Sequence, residues 1–146
     1  MTVKFTYSSK PLADKIEVER FHKGQCHCGS VKFTVHLEHG LENPCRCNCS
    51  ICKRHGAIMV FVELGDFVID EGEEMLSLYQ FNTGVAKHYF CKKCGIYTHH
   101  RRRSVPSQYA FNIGCLKGID PNVLANVPVI DGADNHPKDR PSSIDF

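Results

Sequence analysis

Apolar and polar residues alternate along much of the chain, most clearly over 31–37, VKFTVHL. Val31, Phe33, Val35 and Leu37 fall on one face there and Lys32, Thr34 and His36 on the other, which predicts a half-buried strand. Residues 57–64, AIMVFVEL, form an unbroken apolar run and predict a strand buried on both faces. Short segments rich in Val, Ile, Phe and Tyr predict further strands at 66–70, 76–81, 86–91, 95–100 and 108–113. Turn signals such as Asp70-Glu71-Gly72 and Asn82-Thr83-Gly84 separate them. No stretch keeps a 3.6-residue period beyond two turns, so helix is limited to about one turn after Cys49. The segment beyond Gly118 holds Pro121, Pro128, Pro137 and Pro141 and reads as irregular, mostly surface chain. Nothing resembling a linker divides the sequence, so the pattern predicts one β domain of several short strands.

Composition adds little to that picture except at cysteine. The chain has 146 residues, 42 % hydrophobic and 23 % charged, values of an ordinary globular domain. Lys plus Arg number 18 and Asp plus Glu 16, so the net charge is 18 − 16 = +2. That balance gives no bulk electrostatic pull toward nucleic acid or an anionic membrane. The longest apolar stretch, Ala57 to Val62, is far too short to span a bilayer, and the first residues lack the apolar block of a signal peptide. The expected location is cytoplasmic, with no membrane partner.

Nine cysteines in such a chain point to metal. Cytosolic thiols stay reduced, and an odd count would leave one thiol over in an all-disulfide scheme. They fall into three groups, Cys26-His27-Cys28, then Cys45-Arg46-Cys47-Asn48-Cys49-Ser50-Ile51-Cys52, then Cys91-Lys92-Lys93-Cys94-Gly95, with Cys115 alone. A Cys₄ zinc site is commonly assembled from two short cysteine pairs far apart in sequence, and Cys26, Cys28, Cys91 and Cys94 supply such pairs. Gly95 can take positive φ and free backbone N–H groups for the thiolates, while Lys92 and Lys93 offset the charge of a tetrathiolate centre. The CxCxxC spacing of Cys47, Cys49 and Cys52 offers three sulfurs to a second ion. An open fourth position would make that zinc catalytic. Closure by Cys45, Cys115 or a histidine would make it structural, and a third reading is a redox group with spare thiols.

These residues resemble the glutathione-dependent formaldehyde-activating enzyme family, also called the centromere protein V family. The resemblance rests on Gly24-Gln25-Cys26-His27-Cys28-Gly29, on Cys47-Asn48-Cys49-Ser50-Ile51-Cys52-Lys53-Arg54 and on Tyr89-Phe90-Cys91-Lys92-Lys93-Cys94-Gly95, in that order. It spans residues from about 22 to 116, where Asn112-Ile113-Gly114-Cys115-Leu116 is similar to a late strand of the family. It implies a mostly β single domain over 1–146, with several short antiparallel sheets around zinc and Mss4-like. It also implies two zinc ions per chain: a structural one on Cys26, Cys28, Cys91 and Cys94, and a catalytic one on Cys47, Cys49 and Cys52. The implied activity is a carbon–sulfur lyase or synthase acting on a thiol partner such as glutathione or its adduct, with S-(hydroxymethyl)glutathione formed from formaldehyde and glutathione. Cys45 precedes the triad and is assigned as an alternative or supporting thiol. The alternative function is a non-catalytic binding module stabilised by two structural zinc sites.

Other residues carry competing readings. His99-His100-Arg101-Arg102-Arg103 reads as a solvated charged face, as a lip holding the carboxylates of a glutathione-like substrate, or as a nucleic-acid patch, the least favoured of the three. His27 is expected to point away from the metal, and His55 reads as a surface residue or a proton shuttle. Cys115 reads as a small buried hydrophobe, and Phe61, Phe67, Tyr79, Phe81, Tyr89 and Phe90 read as core. His136 lies in a tail that offers no interpretation.

Overall fold

A computed structural model describes residues 17–135, so His136, Pro137 and Pro141 fall outside the described residues. In chain order its strands begin with β1 (Phe21–Gln25), β2 (Lys32–His36), β3 (Arg46–Cys47), β4 (Met59–Glu63) and β5 (Phe67–Glu71). They continue with β6 (Leu76–Tyr79), β7 (Lys87–Cys91), β8 (Tyr97–Arg101), β9 (Gln108–Asn112) and β10 (Val129–Ile130). Two single-turn helices, α1 (Cys52–His55) and α2 (Gly132–Asn135), complete the regular structure apart from short 3₁₀ turns. No helix among the described residues is long and apolar enough to cross a membrane.

The strands form a three-stranded antiparallel sheet in the order β1-β2-β5 and a five-stranded antiparallel sheet in the order β4-β9-β8-β7-β6. The third sheet departs from the antiparallel expectation, because β3 and β10 pair in parallel. The 31–37 alternation appears as predicted, with Val31, Phe33 and Val35 at 0 % exposure and Leu37 at 4 %. Phe33, Val35 and Leu37 pack against Val60, Val62 and Phe111 of the larger sheet and Ile113 just after it, and Phe33 stacks on Phe67 at 4.6 Å.

Alternation within the larger sheet decides what each of its faces does. Val60, Phe111, His99 and Tyr89 pair directly across four strands. Among them Val60, Phe111 and His99 are buried on the side that packs on Phe67. One residue along, Phe61, Ala110, His100 and His88 form a second row on the opposite face. The 57–64 run is therefore only partly buried on both faces. Met59, Val60 and Val62 are buried, but Phe61 is half-buried in the second row and Glu63 is exposed.

Two further expectations need correction. β1 is an unpredicted strand, because its buried positions are His22 and Gly24 rather than aliphatic residues. His22 is accommodated by two hydrogen bonds: Nδ1 accepts from Glu19 N at 3.1 Å, so Nε2 donates to Lys117 O at 2.8 Å. Of the aromatics read as core, Phe67 is buried, Tyr79 is 45 % exposed, and Phe61 and Phe81 line a cleft. The segment beyond Gly118 is mostly exposed or half-buried among the described residues, as expected, and it also adds to the core and to the loop around Cys47. Leu124 joins the main core, and Arg46 N and Asn48 N donate to Pro128 O and Ile130 O as β10 docks beside Cys47.

Candidate metal centres and the adjoining cleft

The β1–β2 turn carries Cys26 and Cys28, Cys91 ends β7, and the β7–β8 turn carries Cys94. Their four sulfurs all lie within 4.8 Å of one another, with Cys26–Cys28 and Cys28–Cys91 each at 3.7 Å. Tetrahedral zinc with Zn–S bonds of about 2.3 Å requires sulfur–sulfur edges of about 3.8 Å. A disulfide would bring two sulfurs to about 2.05 Å, so the cage has the dimensions of a tetrathiolate metal site. Gly95 adopts φ 78°, as the CxxCG turn demands, and its N–H donates to Cys91 O at 2.8 Å. Val31 N donates to Cys26 Sγ at 3.3 Å. Burial pushes the Cys94 thiol up, but backbone hydrogen bonds at Cys28 and Ile96 outweigh it and leave the thiol below its ordinary value. His27 is exposed and takes no part in the cage.

The sulfurs of Cys47, Cys49 and Cys52 form a second group within 4.8 Å of one another. A tight loop makes this possible: Cys49 O accepts from Lys53 N, Gly56 closes α1 with φ 65°, and Cys49 N donates to Cys47 Sγ at 3.4 Å. Hydrogen bonds from the neighbouring thiols hold Cys49 far below the ordinary thiol range, at about 2, and the same interactions push Cys52 well up. Alone, the triad favours negative charge on one sulfur; a dication is what would let all three ionise together. Neither Cys45, Cys115 nor any histidine joins the group among the described residues. Cys45 is buried with its backbone paired to Met59, and burial pushes its thiol up to about 11. Cys115, buried as predicted, donates from Sγ to Tyr97 O at 3.7 Å, and burial pushes it up to about 12.

Beside the triad lies a cleft of about 130 Å³ on the second-row face of the larger sheet. Met59, Phe61, Phe81 and Ile130 give it apolar walls, and His88, His100 and Arg102 line it with polar groups. The solvated reading of 99–103 fails for its histidines, since His99 is 3 % and His100 8 % exposed. Tyr97 Oη holds His100 Nδ1 at 2.6 Å, and burial pushes His100 down to about 3, so it is neutral near pH 7. Arg102 lies 3.7 Å above the Phe61 ring and donates from Nη1 to Gln108 Oε1 at 2.6 Å. Gln108 thus occupies one of its five donors. His55 stands exposed on α1 with its ring stacked on Tyr97 at 4.1 Å.

Sequence reasoning missed His88, Phe81, Ile130 and Gly132 as residues of this site. Gly132 touches it most closely, since a Cβ there would lie 2.7 Å from Cys47 Sγ and 3.2 Å from Cys49 Cβ. The available signal for His88 was its place in the period-two pattern of 86–91, which puts it on the same face as the apolar partners of a neighbouring strand.

Known proteins resemble this chain in sequence and in fold. The profile of the family described as glutathione-dependent formaldehyde-activating enzyme matches residues 21–127. A Halomonas elongata protein, provisionally named a glutathione-dependent formaldehyde-activating enzyme, is 32 % identical over 80 residues. That match covers 49 % of this chain and 50 % of the relative, so the chain spans half the length of that protein. A Rhodobacter sphaeroides protein of known crystal structure is 49 % identical and superposes with a TM-score of 0.72, over 74 % of this chain and 99 % of that one. The profile match alone spans well over half of the sequence, and the chain belongs to the glutathione-dependent formaldehyde-activating enzyme family.

Proposed function

We propose that this protein is a zinc-dependent carbon–sulfur lyase or synthase acting on glutathione-type thiols, and that its reaction is the joining of glutathione to formaldehyde. The observation that carries the reading is a group of three sulfur donors, with no fourth among the described residues, opening on a cleft that Arg102 lines. Cys26, Cys28, Cys91 and Cys94 are assigned a structural zinc, and Cys47, Cys49 and Cys52 a catalytic one, two per chain. The Mss4-like grouping of the fold belongs to the same reading. So does a cytoplasmic location, where seven ligand thiols would stay reduced.

Zinc held by the triad supplies an electrophile that lowers the pKa of an arriving thiol and can polarise an aldehyde oxygen. The chain's own residues do the rest. Arg102 offers its free donors to a substrate carboxylate, a pairing that a planar guanidinium makes bidentately. Phe61 backs the guanidinium, and Gln108, itself held by Glu63 at 3.0 Å, fixes its angle. Met59, Phe61 and Phe81 reduce water around the reacting carbon, which strengthens the electrostatic contacts there. Holding both reactants in one cleft removes much of the entropic cost of bringing them together.

The test is cobalt substitution followed by addition of glutathione. Cobalt in the triad should change its ligand-field spectrum when the thiol arrives, and Arg102→Gln should weaken glutathione binding about tenfold, as for loss of a charge-assisted hydrogen bond. A spectrum indifferent to glutathione and related thiols would leave a zinc-stabilised binding module and remove the enzyme reading.

A further inference from the structure

His88 differs from the other buried histidines. His22, His99 and His100 each have a hydrogen-bond partner for at least one ring nitrogen. His88 is 4 % exposed, its Nδ1 is sealed from solvent without a partner, and among the described residues neither ring nitrogen makes a hydrogen bond. Its neighbours are rings: Phe81 at 5.8 Å and His100, its direct cross-strand partner, at 4.9 Å. A buried polar group left unpaired costs stability, and a phenylalanine in this aromatic slot would avoid that cost. The position therefore carries a group that folding does not need.

Burial disfavours the charged ring and holds His88 down at about 4, so it is neutral near pH 7 and carries one N–H. A sealed N–H without an acceptor is rarer and costlier than a sealed lone pair, which places the proton on Nε2. With Nδ1 sealed, Nε2 belongs to the edge of the ring that borders the cleft.

We infer that His88 is a catalytic residue of the reaction proposed above, with Nε2–H donating a hydrogen bond to the oxygen of the aldehyde and of the hydroxymethyl group it becomes. In that step the thiol sulfur forms a bond to the carbonyl carbon, and the C=O π pair moves onto oxygen. The proton given up by the thiol ends on that oxygen, so that RSH and CH₂O become RSCH₂OH. The oxygen gains charge as the bond forms, and a fixed N–H donor is worth more in the transition state than in the ground state. The inference rests on the proposed reaction and adds a subsite for its one-carbon partner, separate from the Arg102 subsite for carboxylate.

The test compares zinc-loaded wild type, His88→Phe and His88→Gln, with glutathione and formaldehyde as probes. His88→Phe should melt at or above the wild-type temperature and bind glutathione with unchanged affinity. Its kcat for adduct formation should fall about tenfold or more, and Gln, whose amide N–H reaches the Nε2 position, should restore part of it. In wild type the His88 ring ¹⁵N signals should stay in place with glutathione alone and shift when formaldehyde is added. A Phe variant with wild-type kcat, one that melts well below wild type, or ring signals indifferent to formaldehyde would each overturn the assignment while leaving the reaction standing. Wild-type protein that neither binds glutathione nor forms the adduct would remove the reaction and this subsite together.

Discussion

Single residues set the triad's geometry from a distance in sequence that no spacing rule covers. Gly132 packs on Cys47 and Cys49 with no room for a methyl group, so Gly132→Ala should force the sulfurs apart. The expected result is loss of one of two zinc ions with the fold kept, read by metal analysis beside circular dichroism. Two zincs retained at wild-type affinity would show that the tail yields instead. His99 poses a different question, because it is buried among Phe67, Tyr89 and Tyr109 with Nδ1 on Thr98 Oγ1 at 2.9 Å. Burial lowers it from 6.5 to about 3 in the folded chain. A depressed histidine contributes stability that is present above pH 6.5 and lost as the pH falls toward 3, because the unfolded chain takes up a proton the folded one refuses. Within that window the slope is about 1.4 kcal/mol per pH unit for one proton. His99→Phe should flatten the acid limb of a pH–stability curve by that amount, and an unchanged slope would mean the ring is already protonated when folded.

At the level of elements, period two together with β-branched and aromatic content was enough to find β2 and β4 to β9. It failed at β1, where His22 and Gly24 take those positions, and at β3 and β10, each only two residues long. The grouping of the cysteine sulfurs was legible because spacing on one turn fixes where sulfurs can go. The cleft was not, because Phe61, Ala110, His100 and His88 meet only through the register of four strands. The β3–β10 pair is the element that closes the triad loop, and Asn48 latches it. Its Nδ2 donates to Asp131 Oδ1 at 3.0 Å and its Oδ1 accepts from Ala133 N at 2.9 Å. Asn48→Ala should cost about 1–3 kcal/mol and speed amide exchange over 128–133, with the Cys₄ turns as protected as before. Exchange that rises everywhere equally would mean the latch is part of the global unfolding unit.

Taken whole, the described residues form two antiparallel sheets that share a core, with the small β3–β10 pair beside them, and the two sheets meet a second time at the Cys₄ sulfurs. Cys28 and Cys91 stand 63 residues apart in sequence, one on a hairpin of each sheet, and their sulfurs are 3.7 Å apart. Metal bound there opposes separation of the sheets, and in small zinc modules such binding contributes about 10–16 kcal/mol of folding free energy. The triad, by contrast, draws all three donors from one loop between Cys47 and Cys52, so its metal closes no long loop. Titration with a strong chelator should therefore remove zinc in two steps. The first should be the triad's ion, taken with near-native circular dichroism, because the cleft gives a competing ligand access to it. The second should coincide with loss of the β signal. Cys49→Ser should abolish only the first step, and Cys91→Ser should leave a chain that does not reach the native state at 37 °C. If both zincs leave in one step with the fold intact, the shared core of Phe33, Val60 and Phe111 is sufficient without metal, and the Cys₄ cage is not the staple argued here.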